Sequence, residues 1–495
     1  MRADYIGSMA SRIHSLLCLL LVLPSFAIAV PDGLAQPLGA IRFTIDALPQ
    51  KDIWAGMTLS DAKVGYSHTT LAAKADGRYE ITTESILLLQ MLGSANRVEF
   101  RTRDTVRADL TLERFDAEFL LGGNRLKIDG RADADHLKFT VDNAGNKVTR
   151  DLQYSGPLYP AAAVGFHALV SGFAPGRASR FTVFNPQSMQ IGAVEQRVKA
   201  YDPAGRFNGQ AYEIATRMEG QDSTLWLDRD GRFLLEVAMN GMLAATPATE
   251  QEAKAHLLAA RLNTREVIVG ISLVKADQAI QFPGRVDHMQ IELKGIGLPL
   301  PSGPGQRCTS RHELWDCELE SGLRARFEGN VADYLGASLT VPAQDARIRR
   351  LALEITAASK SEEEKLWAIL RWLDAHIRKE SVDGFSALDV LSSRRGECQG
   401  HSYLYAALAR ASGIPTRVAN GLVYSAAHEG FLYHTWAESV LGGEWRAVDP
   451  TFGQPVADAT HIKIVEGEDY GDLAPLTDLI GKVGVRIQSY EYGRP

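Results

Sequence analysis

The sequence predicts a multidomain protein with an N-terminal antiparallel β domain, a small β module and a C-terminal α+β domain. Apolar and polar residues alternate from about 40 to 245, between turns rich in Gly, Asp and Asn. Two closely spaced cysteines mark a second strand-rich segment, and helices with an apolar stripe follow residue 340. We therefore place the β-rich domain at 36–245, the small β module at 258–338 and the α+β domain at 340–495. A chain of 495 residues has room for such domains.

The first 29 residues predict an export signal. Arg2 and Arg12 precede an apolar run over 16–23, and residues 27–29 (AIA) form the small-x-small pattern of a signal-peptidase site, with cleavage after Ala29. A membrane anchor needs about 18 apolar residues, but Pro24 interrupts this run. We expect a periplasmic or secreted protein with no transmembrane segment once the signal is removed.

Composition argues against nucleic acid as a partner. The formal net charge is -7, and no tract of clustered Lys and Arg stands out to neutralise phosphates. With 45% hydrophobic and 23% charged residues, the chain is typical of globular proteins.

Several segments of the β-rich domain read as strands joined by hairpin turns. The strand-like stretches are 78–86, 97–103, 125–130, 137–147, 179–184 and 223–237. The acidic runs DADH (133–136) and DRDG (228–231) lack the distal Glu of a calcium loop, so we interpret them as turns. Residues 245–262 predict a helix or linker, and 265–274 and 288–296 predict further strands.

The cysteines divide into a pair and a single residue. Cys308 and Cys317 lie close together in the sequence, and in an oxidising compartment such cysteines usually pair. Cys18 falls within the predicted signal, which leaves Cys398 without a cysteine partner.

The C-terminal domain opens with two predicted helices, over 342–355 and 359–377. Ser361 and Glu364 have the spacing of a capping box. One apolar stripe of the second helix comprises Leu366, Ile369, Leu370, Leu373 and Ile377.

Cys398 lies where a third helix is predicted to begin. Apolar residues from Tyr403 to Ala411 share one face, and Gly413 with Pro415 ends the helix. Backbone N–H groups and the helix dipole at that end lower a thiol pKa, which suits a nucleophile. A cysteine here is equally well a small buried hydrophobic residue, and the helix alone does not decide between the two.

A predicted hairpin brings a histidine and an aspartate together. Gly442 and Gly443 suit a two-residue turn between 433–441 and 444–449. Pairing Leu441 with Glu444 sets Trp436 opposite Asp449 and leaves His434 as a diagonal neighbour on the same face. With Cys398, this pair predicts the Cys–His–Asp arrangement of thiol acyl transfer.

The same stretches resemble a known family. RRGEC (394–398), LYAALARASGIPTRVANGLVY (404–424), YHTWAES (433–439) and WRAVDPTFGQPVADATHI (445–462) are together similar to the transglutaminase-like superfamily in its bacterial form, over about 340–480. The resemblance implies an α+β papain-like fold and acyl transfer through a thioester. It gives Cys398 as nucleophile, His434 as general base and acid, and Asp449 as the residue that orients His434.

The resemblance also implies an oxyanion hole formed by the cysteine N–H and a second donor. Trp372 and Gln399 are the candidates, although neither matches the family pattern closely enough to be assigned. We interpret Trp436 as shielding the His–Asp pair or as ordinary core. His461, within ATHI, has no role that we can derive.

A zinc site is the alternative chemistry. Cys398 and His401 share a helix face, and with His434 they could bind the metal. The triad interpretation uses the second nitrogen of His434 for Asp449, so we expect no metal and no cofactor, and we read His401 as a helix-surface or supporting residue.

The predicted function is an exported thiol acyl-transfer enzyme, most simply a cysteine protease or amidase acting on peptides, proteins or cell-envelope material. A protein cross-linking transglutaminase and a catalytically inactive envelope-binding or scaffold protein are the alternatives. We expect Asp449→Asn to lower turnover strongly and to leave the fold intact.

Overall fold

A computed structural model of the protein describes residues 40–91, 94–121, 123–199, 206–207, 211–263, 267–380 and 384–493. The predicted export signal (1–29) lies outside these residues. The described residues are mostly strands and group into two compact units, one drawn chiefly from 40–142 and 147–267, and the other from 268–493. Among the described residues, no helix is both long enough and apolar enough to span a membrane.

In the part of the chain that the structure describes, the N-terminal unit is built on one sheet of fifteen strands. The strands are β1 (Asp52–Leu59), β2 (Ala62–Ala73), β3 (Tyr79–Met91), β4 (Ser94–Val106), β5 (Leu112–Leu121), β6 (Asn124–Asp133), β7 (His136–Asn143), β8 (Asn146–Gln153), β9 (Leu158–Pro160), β10 (Ala178–Asn185), β11 (Gln190–Lys199), β12 (Ala211–Met218), β13 (Gln221–Asp228), β14 (Phe233–Ala238) and β15 (Leu243–Ala248). Their order is β8 through β1, then β15 down to β9, so the first strand pairs with the last and every other neighbour is adjacent in the chain.

Alternation in the sequence sets the faces of this sheet. Phe119 of β5 pairs with Leu126 of β6, and Ala117 pairs with Ile128, so buried side chains fall opposite one another. The acidic run at 133–136 joins β6 to β7, and the run at 228–231 joins β13 to β14, which confirms both as hairpin turns.

Two helices accompany this sheet, α1 (Val164–Ser171) and α2 (Glu250–Leu262). Thr249 and Glu252 form a capping box that starts α2 inside the segment predicted to be helix or linker. Ala253 of α2 packs against Tyr66 and Ile86 of the sheet.

The described residues of the C-terminal unit include three smaller sheets and the remaining helices. Its strands are β16 (Val274–Lys275), β17 (Val286–Lys294), β18 (Gln306–Arg311), β19 (Leu314–Glu320), β20 (Ala325–Arg326), β21 (Arg378–Lys379), β22 (Arg395–Gly396), β23 (Thr416–Ser425), β24 (Gly430–Leu441), β25 (Glu444–Val448), β26 (Ile462–Glu466) and β27 (Gly484–Tyr492). Its helices are α3 (Val267–Ser272), α4 (Ala346–Thr356), α5 (Glu362–His376), α6 (Ala387–Ser393), α7 (Cys398–Ala411) and α8 (Tyr470–Asp478).

The strand predicted over 265–274 is wrong for most of its length, because residues 267–272 form the helix α3. In the described part of this segment only Val274 belongs to a strand, which is β16 together with Lys275. A short run of Ile and Val has no periodicity that separates a strand from a helix, and tertiary packing decides its structure.

The segment predicted as a separate β module (258–338) shares its sheets with the C-terminal domain. Strands β18, β19, β17 and β27 form one sheet in that order, so the last strand of the chain completes it. Strand β20 pairs with β25, and β16 pairs with β24, at the main sheet of the domain. Cys308 on β18 pairs with Cys317 on β19 and forms the predicted disulfide.

The core of the C-terminal unit packs α4, α5, α6 and α7 against β23 and β24. The predicted stripe of α5, from Leu366 to Ile377, is buried. Ser361 accepts from the N–H of Glu364 as predicted, but the Glu364 carboxylate accepts from the N–H of Lys360 instead of closing the capping box.

Candidate active site

The thiol of Cys398 stands at the first residue of α7, as the sequence predicts. The side chain is buried and does not belong to a disulfide. The preceding residue, Glu397, is extended and makes no side-chain cap hydrogen bond to the helix. The N–H groups of the first turn therefore lie at the thiol end of the helix, where they favour negative charge.

Glycine allows a neighbouring helix to pack closely against the start of α7. A Cβ on Gly400 would come within 2.8 Å of the Val390 side chain of α6, so only glycine fits where the two helices meet. Gly396 on β22 pairs with Lys379 on β21 just before the helix begins. The packing of α6 against α7 and the pairing of β22 with β21 thereby hold the start of α7, where Cys398 lies.

The hairpin of β24 and β25 has the predicted register. Leu441 pairs with Glu444 and Ala437 pairs with Val448. Both glycines of the turn have positive φ, at 61° and 83°, as a two-residue turn requires. His434 Nε2 consequently lies 2.7 Å from Asp449 Oδ2, and both side chains are fully buried.

Asp449 uses all of its acceptor positions. Its Oδ1 accepts from the backbone N–H groups of Thr451 at 2.7 Å and Phe452 at 3.1 Å. Its Oδ2 faces the Nε2 atoms of His434 and, at 3.0 Å, of His461. Burial by itself would raise the pKa of Asp449, but the two imidazoles outweigh burial and hold this pKa well below its usual value. The carboxylate is ionised.

His461 is a member of this cluster that sequence reasoning missed. Its Nδ1 lies 3.0 Å from the Asp458 carbonyl oxygen and 3.3 Å from Asp458 Oδ1. Burial would lower the pKa of His461, but Asp458 and Asp449 raise it to about 10. The one signal in the sequence is that His461 lies within the stretch 445–462 that resembles the family. Its approach to Asp449 depends on the tertiary structure, in which Ile462 pairs with Leu422 of β23, the strand beside β24.

Aromatic rings cover the pair. Phe452 stacks on His434 at 5.0 Å between ring centroids, and Trp436 lies at 6.2 Å from the same ring. Trp436 also meets His461 edge-on at 5.2 Å and packs against Ala447. Trp436 is therefore both a cover for the cluster and part of a small core, and its burial keeps water from the charged groups.

The two candidates for a second oxyanion donor stay predictions. Gln399 is buried, and its Nε2 donates to the Tyr403 hydroxyl one turn further along α7, at 2.6 Å. Trp372 is partly buried, stacks on His376 and lies 5.0 Å from the Arg394 guanidinium. These contacts explain the positions of both side chains without any role in the reaction.

His401 is not on the helix surface. It is fully buried, and its Nδ1 lies 2.8 Å from the carbonyl oxygen of Glu397, the residue before α7. Burial lowers the pKa of His401, although the charge of Asp449 opposes this shift. His401 is thus a supporting residue within electrostatic reach of Asp449.

The donor atoms best placed to share a metal ion differ from those of the predicted zinc site. Within the described ranges they belong to His434, Asp449 and His461, whose ligand atoms lie within 4.8 Å of one another. Hydrogen bonds of 2.7 and 3.0 Å already join them, and a metal would have to displace both imidazoles from the carboxylate. We therefore treat the cluster as a hydrogen-bonded unit.

Lys379 adds a cation that the sequence did not reveal. Lys379 lies on β21, the strand that pairs with β22, and its ammonium lies 3.9 Å from an Asp374 carboxylate oxygen. Burial lowers the pKa of Lys379, while Asp374 and Asp449 act in the opposite direction. A positive charge thus lies close enough to influence Asp449.

Comparison with known proteins finds a family match for the segment that contains these residues. Residues 349–450 match the model of the transglutaminase-like superfamily, and the match includes Cys398, His434 and Asp449. Mouse kyphoscoliosis peptidase is 24% identical over 182 residues, which cover 33% of this chain. The match spans only 26% of that protein's length.

Two solved structures show distant likeness to this chain. A candidate cysteine protease from Cytophaga hutchinsonii is 15% identical, with 42% of this chain and 85% of that chain covered, at a TM-score of 0.29. A β-barrel-like protein with a domain of unknown function from Brucella abortus is 13% identical, with 41% of this chain and 97% of that chain covered, at a TM-score of 0.31. At such scores neither structure informs the chemistry of this site.

The family match covers the helix that begins at Cys398 and the hairpin that holds His434 and Asp449, as the resemblance in the sequence predicts. At the level of the family, this supports a cysteine-dependent enzyme. Residues 349–450, in the C-terminal part of this chain, thus match the transglutaminase-like superfamily.

Proposed function

We propose that the protein is an exported cysteine-dependent hydrolase that cleaves amide bonds through a thioester on Cys398. The observation that carries the proposal is the buried hydrogen bond between His434 Nε2 and the ionised Asp449, in the domain whose helix α7 begins at a thiol. A peptidase among the relatives of the domain agrees with amide cleavage. Peptides and proteins, including those of the cell envelope, are the proposed substrates.

The nitrogen of His434 that Asp449 holds decides which nitrogen takes part in acylation. Because Nε2 donates to Asp449, proton exchange with the reactants falls to Nδ1 of His434. The Cys398 thiol gives its proton to Nδ1, and the thiolate attacks the amide carbon while the carbonyl π electrons move to oxygen. When the carbonyl re-forms, the C–N bond breaks, and the leaving amine takes the proton from Nδ1. A thioester and a neutral imidazole remain.

Deacylation reverses the proton path. Water gives a proton to His434 Nδ1 as its oxygen attacks the thioester carbon. The C–S bond breaks, the carboxylic acid leaves, and Cys398 regains its thiolate beside the imidazolium. If a primary amine replaced water, the same acyl-enzyme would form a new amide, which is the cross-linking alternative.

Export is part of the proposal. It is supported by the predicted signal over 1–29 and by the disulfide between Cys308 and Cys317, which suits an oxidising compartment.

The test uses protein that begins at residue 30, incubated with a fluorogenic peptide library and with peptides prepared from cell envelopes. We expect wild-type protein to cleave members of the library and Cys398→Ser to cleave none. The double variant Cys308→Ser, Cys317→Ser is the matched control, because it changes two cysteines and leaves the triad intact. Parallel reactions with a biotin-labelled primary amine and a glutamine-containing acceptor protein measure amine transfer.

Amine incorporation in excess of hydrolysis would replace the hydrolase with the cross-linking enzyme. Absence of cleavage, of transfer and of any thioester trapped on Cys398 would contradict the proposal and favour the inactive binding protein.

A further inference from the structure

We propose that His461 is a positioning residue of this site. It holds Asp449 as a carboxylate and shares the negative charge of Asp449 with His434, so that the pH range in which Cys398 reacts depends on His461. The inference rests on the proposed function for the identity of the nucleophile.

Hydrogen-bond geometry fixes both ring nitrogens of His461 as donors. Nδ1 lies 3.0 Å from the carbonyl oxygen of Asp458, which can only accept, so this nitrogen carries a hydrogen. Nε2 lies 3.0 Å from Asp449 Oδ2, an oxygen that accepts from His434 as well. An imidazole with a hydrogen on each nitrogen is positively charged, and the raised pKa of His461, to about 10, agrees with this assignment.

Asp458 is itself held as a carboxylate. Its Oδ1 accepts from the backbone N–H of Thr460 at 2.9 Å and from the Thr460 hydroxyl at 2.6 Å. Its Oδ2 accepts from Gln454 Nε2 at 2.8 Å. His461 is therefore fixed between two ionised carboxylates in a site from which water is excluded, where such charge-assisted bonds are strongest.

The charged and titratable groups that face this cluster come from several elements. Asp449 follows β25, Asp458 lies in the loop before His461, and His434 belongs to β24. Two further groups act electrostatically on Asp449, Lys379 from β21 and His401 from α7. Only His461 among these shares a carboxylate oxygen with the triad histidine in the contacts of the described residues.

The positive charge of His461 has a directional effect on the reaction. It competes with His434 for the charge of Asp449, and it favours loss of a proton from any nearby group. Removing the charge should raise the pH at which the Cys398 thiolate forms and the pH at which His434 loses its proton. At a ring separation of 5.6 Å between His461 and His434, the His434 transition should move upward by on the order of one pH unit. The Cys398 transition should move in the same direction.

The experiment measures the rate of Cys398 alkylation by iodoacetamide as a function of pH, in the full mature chain. This reaction needs no acyl substrate, so it distinguishes failure of this inference from failure of the proposed hydrolase. The variant is His461→Gln, in which an amide replaces the charged ring. The matched control is His288→Gln, which makes the same change at a histidine paired with Glu318 on the four-stranded sheet of β17, β18, β19 and β27.

We expect both transitions of His461→Gln to shift to higher pH together, while those of His288→Gln stay at the wild-type positions. A merely structural role would change the amplitude of the rate or the stability without moving both transitions in one direction. A folded His461→Gln protein with unchanged transitions would overturn the inference.

A second measurement covers the case in which the variant does not fold. Nitrogen NMR of wild-type protein with labelled histidine should show two protonated nitrogens on His461 at neutral pH. A neutral tautomer at that pH would equally overturn the inference.

Discussion

The most informative single change is Asp449→Asn. An amide has one acceptor oxygen and one NH₂ group, whereas the Asp449 carboxylate accepts from two backbone N–H groups and faces two imidazole Nε2 atoms. If the amide oxygen keeps the backbone bonds, its NH₂ group faces two N–H donors. The charge that stabilises protonated His461 is lost at the same time.

Both stability and turnover should fall. Breaking one side of a buried ionic cluster costs about 3–5 kcal/mol of unfolding free energy. The same change in a serine triad lowers turnover by roughly 10⁴-fold, because the histidine adopts the wrong tautomer. We therefore expect Asp449→Asn to lose stability as well as turnover, since in this protein the aspartate supports a second histidine.

Urea unfolding at neutral pH and single-turnover acylation measure the two effects separately. The matched control is Asp316→Asn, which removes a carboxylate from a surface pair with Arg311 and should cost less than about 1 kcal/mol. If Asp449→Asn lost less than about 1 kcal/mol and kept a rate within about tenfold of wild type, the account of Asp449 as a fully used carboxylate would be refuted.

Three further outcomes are expected. The pKa of His461 is raised from an ordinary 6.5 to about 10, so the stability it contributes is complete below pH 6.5 and is lost as the pH rises toward 10. Urea unfolding at about pH 6 and about pH 9 should show this loss in wild type and little of it in His461→Gln. An equal change of unfolding free energy with pH in the two proteins would contradict this expectation. Alkylation of the non-reduced protein, followed by peptide mass spectrometry, should label Cys398 and spare Cys308 and Cys317, and label on the pair would contradict the disulfide. Trp436→Ala should cost about 3–5 kcal/mol in thermal or urea unfolding, because the ring is 2% exposed, and a loss below about 1 kcal/mol would show that the ring does not support the core.

The sequence by itself determined those features that depend on neighbouring residues. The register of the hairpin follows from the two-residue turn at Gly442 and Gly443, so the proximity of His434 and Asp449 is predictable from the residues of this segment alone. The presence of α7 and its end follow in the same way, from apolar spacing and from the stop at Gly413.

Only the tertiary structure decided which distant residues complete the site and the sheets. His461 reaches Asp449 because β26 pairs with β23, and β27 completes the sheet of β17 because the chain returns to it from its far end. No local pattern encodes such pairings, and the apolar run over 267–272 became a helix for the same reason. Local signals specify turns, caps and register, whereas the neighbours of a strand or a buried charge depend on packing between segments that are remote in the sequence.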